Sequence, residues 1–188
     1  MAVNHRPSNK TPREPRAPKP IDAETLERLA LHYVGKYATT RAKLGEYLRR
    51  KLRERGWAGE GSFDIPALAE RFSDLGYIDD RAFAEAKAGA MGRRGLGARR
   101  VSQALWIAGI EDDDARAAAP IVEDNVTASA LEFARRKRIG PYAREAAERP
   151  LQERQVAAMV RAGHAPNLAR AIVRMTPGDD AEAMLASE

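Results

Sequence analysis

Leu52-Arg53-Glu54-Arg55-Gly56-Trp57 reads as the end of a helix. An apolar residue stands four positions before a glycine, and glycine lets the chain leave a helix through positive φ at little cost. The pattern returns at Leu105-Trp106-Ile107-Ala108-Gly109-Ile110 and at Met159-Val160-Arg161-Ala162-Gly163-His164. The glycines are 53 and 54 residues apart, and a short connection and a further helix follow each of them. Near-equal spacing over the chain is the signature of a tandem repeat rather than of unrelated helix ends.

Working outward from these turns, the apolar period is helical throughout. Leu26, Leu29, Ala30, Tyr33 and Tyr37 fall on one face, as do Leu44, Tyr47, Leu48 and Leu52. Ile65, Leu68, Ala69 and Phe72 make a third stripe, with Asp64 as the expected N-cap and Pro66 in the first turn. Val101, Ala104, Leu105 and Ala108 repeat the pattern, and so do Leu168, Ala171, Ile172 and Met175. No alternating segment is long enough for a strand. The expected fold is all-α, with three tandem three-helix repeats over 22–76, 77–119 and 120–176. Each unit has too little apolar surface to stand alone, so the units must stack, and the expected body is an elongated, curved helical array. Leu48, Leu52, Phe72, Leu105 and Phe133 are expected in its core.

Composition narrows the class further. There is no cysteine among 188 residues, which removes disulfides, zinc-thiolate sites and thiol nucleophiles and fits a reducing compartment. No apolar run could span a bilayer, and Met1 to Pro20 lacks the apolar core of a secretory signal, so the expected location is cytoplasmic, with no membrane contact. Residues 1–21 are expected to be a disordered basic arm: the first 20 hold five bases, one acid and five of the 11 prolines. Residues 177–188 read as an acidic C-terminal tail.

A search for chemistry ends without a catalytic set. His5, His32 and His164 have no second ligand at helical spacing, so neither a metal nor a cofactor is expected. His164 takes the place of Trp57 and Ile110 and is expected to pack. Gly92-Arg93-Arg94-Gly95-Leu96-Gly97 follows no strand and lacks the Lys-Ser/Thr ending of a nucleotide loop, so it reads as a linker between two helices. Asp79-Asp80 and Asp112-Asp113-Asp114 are expected to cap helices, where carboxylates satisfy free N–H groups.

Basic clusters remain. Lys36 to Arg55 holds eight bases and two acids, Arg49, Arg50 and Lys51 among them. Arg93, Arg94, Arg99 and Arg100 stand together without an acid, and Arg135, Arg136, Lys137 and Arg138 form a third group. A single charge run is ordinarily a solvated helix face. Three runs in corresponding places would align on stacking into one positive stripe, an electrostatic footprint for phosphate backbones or an acidic protein surface. These residues are the candidate contacts. No base-reading helix or zinc finger accompanies them, so sequence-specific recognition is not expected.

Gly76-Tyr77-Ile78-Asp79-Asp80-Arg81-Ala82-Phe83-Ala84 resembles the Gly-x-(Ile/Leu)-Asp-Asp-x-x-Phe-Ala element of the RecX family, regulators of the bacterial recombinase RecA. Tyr37 to Leu44 with Leu48 and Leu52 is similar to that family's first repeat. Phe133-Ala134-Arg135-Arg136-Lys137-Arg138-Ile139-Gly140-Pro141-Tyr142 is similar to the third-repeat opening of one subgroup. The resemblance runs from about Leu26 to Met175 in order and spacing. It implies three three-helix repeats and binding along the RecA filament on DNA, with direct DNA contact in some members. The resemblance further implies inhibition of the recombinase, affecting homologous recombination and DNA repair. Because no catalytic set survives inspection, no enzymatic activity is expected, and the chain is expected to be a monomer. Two rival classes are a general, non-sequence-specific DNA-binding helical protein and a structural adaptor with no nucleic-acid role. Trp106-Ile107-Ala108 departs from the family, which often carries basic or polar residues there.

Overall fold

The computed structural model describes residues 19–185. The arm up to residue 18 and the last three residues of the tail lie outside the described residues. Among the described residues there are only helices and one isolated bridge, between Ile21 and Trp57. The elements are α1 (Ala23–Lys36), α2 (Arg41–Arg55), α3 (Ile65–Asp74), α4 (Asp80–Arg93), α5 (Ala98–Ile107), α6 (Asp112–Ala117), α7 (Ala119–Asp124) and α8 (Val126–Lys137). A 3-10 turn (Gly140–Tyr142), α9 (Arg149–Arg161), α10 (Pro166–Arg174) and α11 (Ala181–Leu185) follow. The all-α expectation is met.

The first four helices start where their side chains can satisfy free backbone N–H groups. Asp22 accepts from Thr25, Thr40 from Lys43, Asp64 from Ala67 and Asp79 from Ala82, at 2.7–3.1 Å. Pro66 sits in the first turn of α3. Gly56, Gly109 and Gly163 all take positive φ (81°, 68° and 100°), as their place after helix ends requires.

Buried side chains fall into three clusters. The first gathers Leu26, Leu44, Leu48, Leu68 and Phe72. The second is built on Ala84, Ala88, Val101 and Leu105, and the third on Leu131, Met159, Ile172 and Val173. Ile78 packs with the first cluster and Ile121 and Val122 against the second. The cores therefore reach a few residues past the divisions expected at 76/77 and 119/120. At the ends, Ile21 is fully buried and Ala181 packs into the third cluster, so structure extends into both segments read as charged ends. Leu48, Phe72 and Leu105 are buried, whereas Leu52 and Phe133 are half-buried against their clusters. Leu105→Ala should therefore cost about 2–5 kcal/mol in denaturant unfolding and Leu52→Ala clearly less; equal losses would mean that the two faces are equally buried.

The clusters meet at two joints of one design. At the first, the turn after α5 lies on the start of α2. Thr40 Oγ1 donates to the Ala108 carbonyl at 2.7 Å, and a Cβ on Gly109 would collide with that of Ala42. At the second, the turn after α9 lies on the start of α5. The Gly97 N–H donates to Ala162 at 3.0 Å and the Arg99 N–H to Gly163 at 3.2 Å. His164 is buried there as expected, its Nε2 3.1 Å from the Gly95 carbonyl and its ring edge-on to Phe133. Burial holds its pKa below the usual histidine range, which the contact to Gly95 partly opposes.

Arg41, the first residue of α2, ties the first joint together. The Asp80 carboxylate accepts from the Arg41 backbone N–H at 3.0 Å and from its Nε at 3.1 Å. Arg41 also pairs with Glu70 at 3.1 Å, Asp114 at 3.0 Å and Glu111 at 3.6 Å. The Asp80 bonds hold the guanidinium protonated well above the usual arginine range, against the desolvation that partial burial imposes. This corrects the capping expectation at two acids. Asp79 alone caps α4, while Asp80 is buried (4% exposed) and serves as an ion-pair partner. Asp114 likewise turns to Arg41; Glu111 stands at the N-cap of α6 without a side-chain cap bond.

Candidate interaction surface

The bases singled out in the sequence occupy three places. On α2, Arg49 and Arg50 line an open groove of about 630 Å³ together with Tyr33, Lys43, Tyr47, Arg53 and one acid, Glu46. Tyr33 and Tyr47 stack, with ring centroids 4.3 Å apart and planes 14° from parallel. Arg50 and Lys51 lie 5.6 and 5.9 Å from the Tyr47 centroid, within reach of its negative face. Both also pair with Glu54, at 3.7 and 2.8 Å, and the Lys51 bond holds the Glu54 carboxyl below its usual range. The tyrosines, Lys43 and Arg53 were not among the candidate contacts. Their signal was present: Lys43, Tyr47 and Arg50 recur at i, i+4 and i+7, one helix face.

A second place joins two of the expected clusters. Arg93 ends α4 and Arg94 caps it, while Arg135, Arg136 and Lys137 form the last turn of α8. Arg136 Nη1 donates to the Arg94 carbonyl at 2.7 Å, and Arg93 and Arg135 line one shallow concavity of about 520 Å³. Arg135 also lies 5.2 Å from the Tyr142 ring and 3.6 Å from Glu132. Arg138 is the C-cap, at φ 54° and ψ 54°, so its backbone turns the chain while its side chain stays exposed. Bases in a last helical turn also favour the negative end of the helix dipole, a structural use that coexists with binding.

The third place is the outer face of α5. Arg99 and Arg100 are exposed beside the Gly163 turn, and Arg100 donates to Gln103 at 2.7 Å. The same face ends in Trp106 and Ile107, 79% and 66% exposed. The Arg49–Lys51 cluster thus has its own groove, Arg93 and Arg94 meet the α8 cluster, and Arg99 and Arg100 stand beside the second joint.

Among the described residues no group of His, Cys, Asp or Glu is arranged to hold a metal ion, and no helix is long and apolar enough to cross a membrane. What the surface offers is exposed guanidinium and ammonium groups with a few exposed aromatics, a chemistry of anion contact and stacking.

No family model matches the chain. Curated proteins do. The chain is 28% identical over 179 residues to "Regulatory protein RecX" of Myxococcus xanthus (strain DK1622), covering 91% of this chain and 96% of that protein. It is 29% identical over 160 residues to the protein of the same name from Agrobacterium fabrum (strain C58 / ATCC 33970), covering 83% of this chain and 85% of that one. Its fold is similar to the crystal structure of RecX from Lactobacillus salivarius, with a TM-score of 0.59 at 20% identity over 80% of this chain and 94% of the other. At that identity the structural likeness speaks to the fold alone.

Proposed function

From a chain that resembles the RecX regulatory proteins over most of its length, we propose a regulator of the RecA recombinase that binds the RecA filament on DNA and inhibits it. The observation that carries this reading is the breadth of the match: proteins named as regulators align over 91% and 83% of the chain. The surface chemistry is compatible, because the candidate bases are exposed or half-buried on helix faces and helix ends. In this reading the three core clusters are the three repeat units, and the chain acts as a cytoplasmic monomer. Its effect on homologous recombination and DNA repair follows from limiting the filament.

A ligand shifts an equilibrium only by its unequal affinity for the two states. Inhibition therefore requires that the chain bind a disassembling or growth-blocked filament better than a growing one. Contacts reaching from one filament subunit to the next would supply that difference. This reading assigns Arg99, Arg100, Arg135, Arg136, Lys137 and Arg138 to contacts with acidic protein surface or DNA phosphate. Where phosphates are neutralised, affinity falls steeply with salt.

The test is ATP hydrolysis by preformed RecA filaments on single-stranded DNA, with this protein added at substoichiometric amounts. The expected result is a progressive fall in hydrolysis accompanied by loss of filament. Unchanged hydrolysis, with clear binding to bare DNA, would overturn the reading.

The stacked Tyr33–Tyr47 pair in a basic groove favours one second reading, general binding of single-stranded DNA. Aromatic faces stack with bases at about 1–3 kcal/mol each while the cations follow the phosphates. That reading predicts equal affinity for bare DNA and filament.

A further inference from the structure

The two joints follow one rule, and its third instance is left open. Each places a glycine turn that ends one helix on the start of an earlier one: Gly109 on α2 and Gly163 on α5. The remaining turn of the three, Gly56, is exposed and pairs with the chain's own start: the Ile21 N–H donates to the Gly56 carbonyl and the Ala58 N–H to the Ile21 carbonyl, both at 2.9 Å. The start of α9 carries no such turn. Glu148 there makes no side-chain cap bond, Arg149 is exposed, and Leu151 is 48% exposed.

Behind that start runs a groove of about 640 Å³ between α9 and α10. Val156, Val160 and Val173 line it, and Arg149, Arg170 and Arg174 stand at its edge. The helices that form it match α2 and α3 in sequence and core positions, though of the α3 and α10 residues lining the two grooves only Glu70 and Arg170 correspond. Pro66, Leu68, Ala69 and Phe72 of α3 correspond to Pro166, Leu168, Ala169 and Ile172 of α10. In the α2/α3 groove the space is bounded by Gly109 and Glu111 of the docked turn, and Arg41 binds Glu111 and Asp114 just beyond it. Where that groove presents Glu70, the α9/α10 groove presents Arg170. Arg170 and Arg174 make no hydrogen bond or ion pair among the described residues.

The geometry points to the α9/α10 groove as a docking site for a partner protein's helix end, one whose turn bears an apolar residue followed by carboxylates. In the first joint the carboxylates of Glu111 and Asp114 meet Arg41 while Ile110 packs into its own core; here the rim holds the unpaired Arg170 and Arg174, Gln152 and the Arg149–Glu153 pair at 3.3 Å. The valine floor takes the apolar residue, and the guanidinium groups take carboxylates in paired hydrogen bonds. A second copy of this chain, whose exposed Gly76 turn precedes Tyr77 and Asp79, is the rival occupant that the self-association measurement below separates. The inference rests on the regulatory reading above and deepens it: the occupant is a subunit of the recombinase filament.

The experiment measures binding of the fluorescently labelled full chain to preformed RecA filaments on single-stranded DNA by anisotropy. Arg170→Glu with Arg174→Glu should weaken binding about tenfold or more, as expected when desolvated charge pairs are reversed. Ala157→Trp, which fills the groove from its exposed lip, should weaken it about fivefold or more, as expected when a docking pocket is blocked. Both variants should keep the wild-type circular dichroism and melting temperature. Arg144→Glu with Arg154→Glu makes the same charge change outside the groove and should leave binding nearly unchanged. If the wild type binds and the groove variants bind as tightly, the docking site is wrong and the regulatory reading stands. If both charge pairs weaken binding equally, a diffuse field acts and the groove is not the site. Self-association of the wild type that the groove variants lose would make a second copy the occupant. A wild type that does not bind the filament at all removes the regulatory reading and the docking site with it.

Discussion

Arg41→Met lowers the free energy of unfolding by about 3 kcal/mol, the low end of the cost of leaving a buried charge without its partner, because the guanidinium keeps some contact with water. The loss comes from what remains. The Asp80 side chain is 3% exposed and would keep its negative charge beside Glu70, Glu111 and Asp114 with no cation to face. Urea unfolding followed by far-UV circular dichroism reads the effect as a lower midpoint at unchanged native helicity. Arg41→Lys should recover only part of it, since an ammonium cannot fan to four carboxylates on three helices and a loop. Adding Asp80→Asn to Arg41→Met should restore stability, because the stranded charge is then gone while an acceptor for the Arg41 N–H remains. Losses that simply add in the double variant would show that the two side chains are not coupled.

Gly163→Val is the other large expected loss, about 3 kcal/mol or more. Two terms contribute. A φ of 100° is strained for any residue with a Cβ, at roughly 1–3 kcal/mol. The added Cβ would also lie 2.6 Å from the Arg100 nitrogen and 2.8 Å from the Gly97 oxygen, both backbone atoms that cannot swing away, and overpacking of this kind costs about 1–3 kcal/mol. Gly178 separates the terms. Its φ is 93°, but nothing lies within 4 Å of a Cβ there. Gly178→Val should therefore show the conformational cost alone, and the excess at Gly163 measures the second joint. Thermal unfolding of the two variants makes the comparison; equal shifts in midpoint would mean that the joint tolerates a side chain.

Much of the architecture was legible because it is written locally. An apolar period, a capping aspartate and a glycine after a helix each act within a few residues, so α1 to α5 and the three glycine turns could be read in one pass. The joints could not. The partners of Arg41 lie 29 to 73 positions away, and no local rule pairs them. Asp80 shows the conflict directly: it stands where an acid stabilises a helix start, and a distant arginine claims it instead. The basic clusters were legible as charge, since exposed bases in helices need no tertiary information. That Arg136 would cross to the Arg94 carbonyl, or that two tyrosines would stack among the α2 bases, depends on how separate helices come together. The α9/α10 groove was hidden for the same reason, as its meaning comes from comparison with a filled counterpart.

The separation into three cores has a kinetic side. Each core closes from segments at most a few tens of residues apart, so little loop-closure entropy stands in the way of forming it. Short-range closure of this kind accompanies rapid folding. The first joint, in contrast, rests on hydrogen bonds and ion pairs around Arg41 and Thr40 and one close contact at Gly109. Breaking it exposes mainly polar groups that water can satisfy. The first three helices should thus part from the rest while their own core stays shut, and amide exchange should show linked units with separate protection rather than one block.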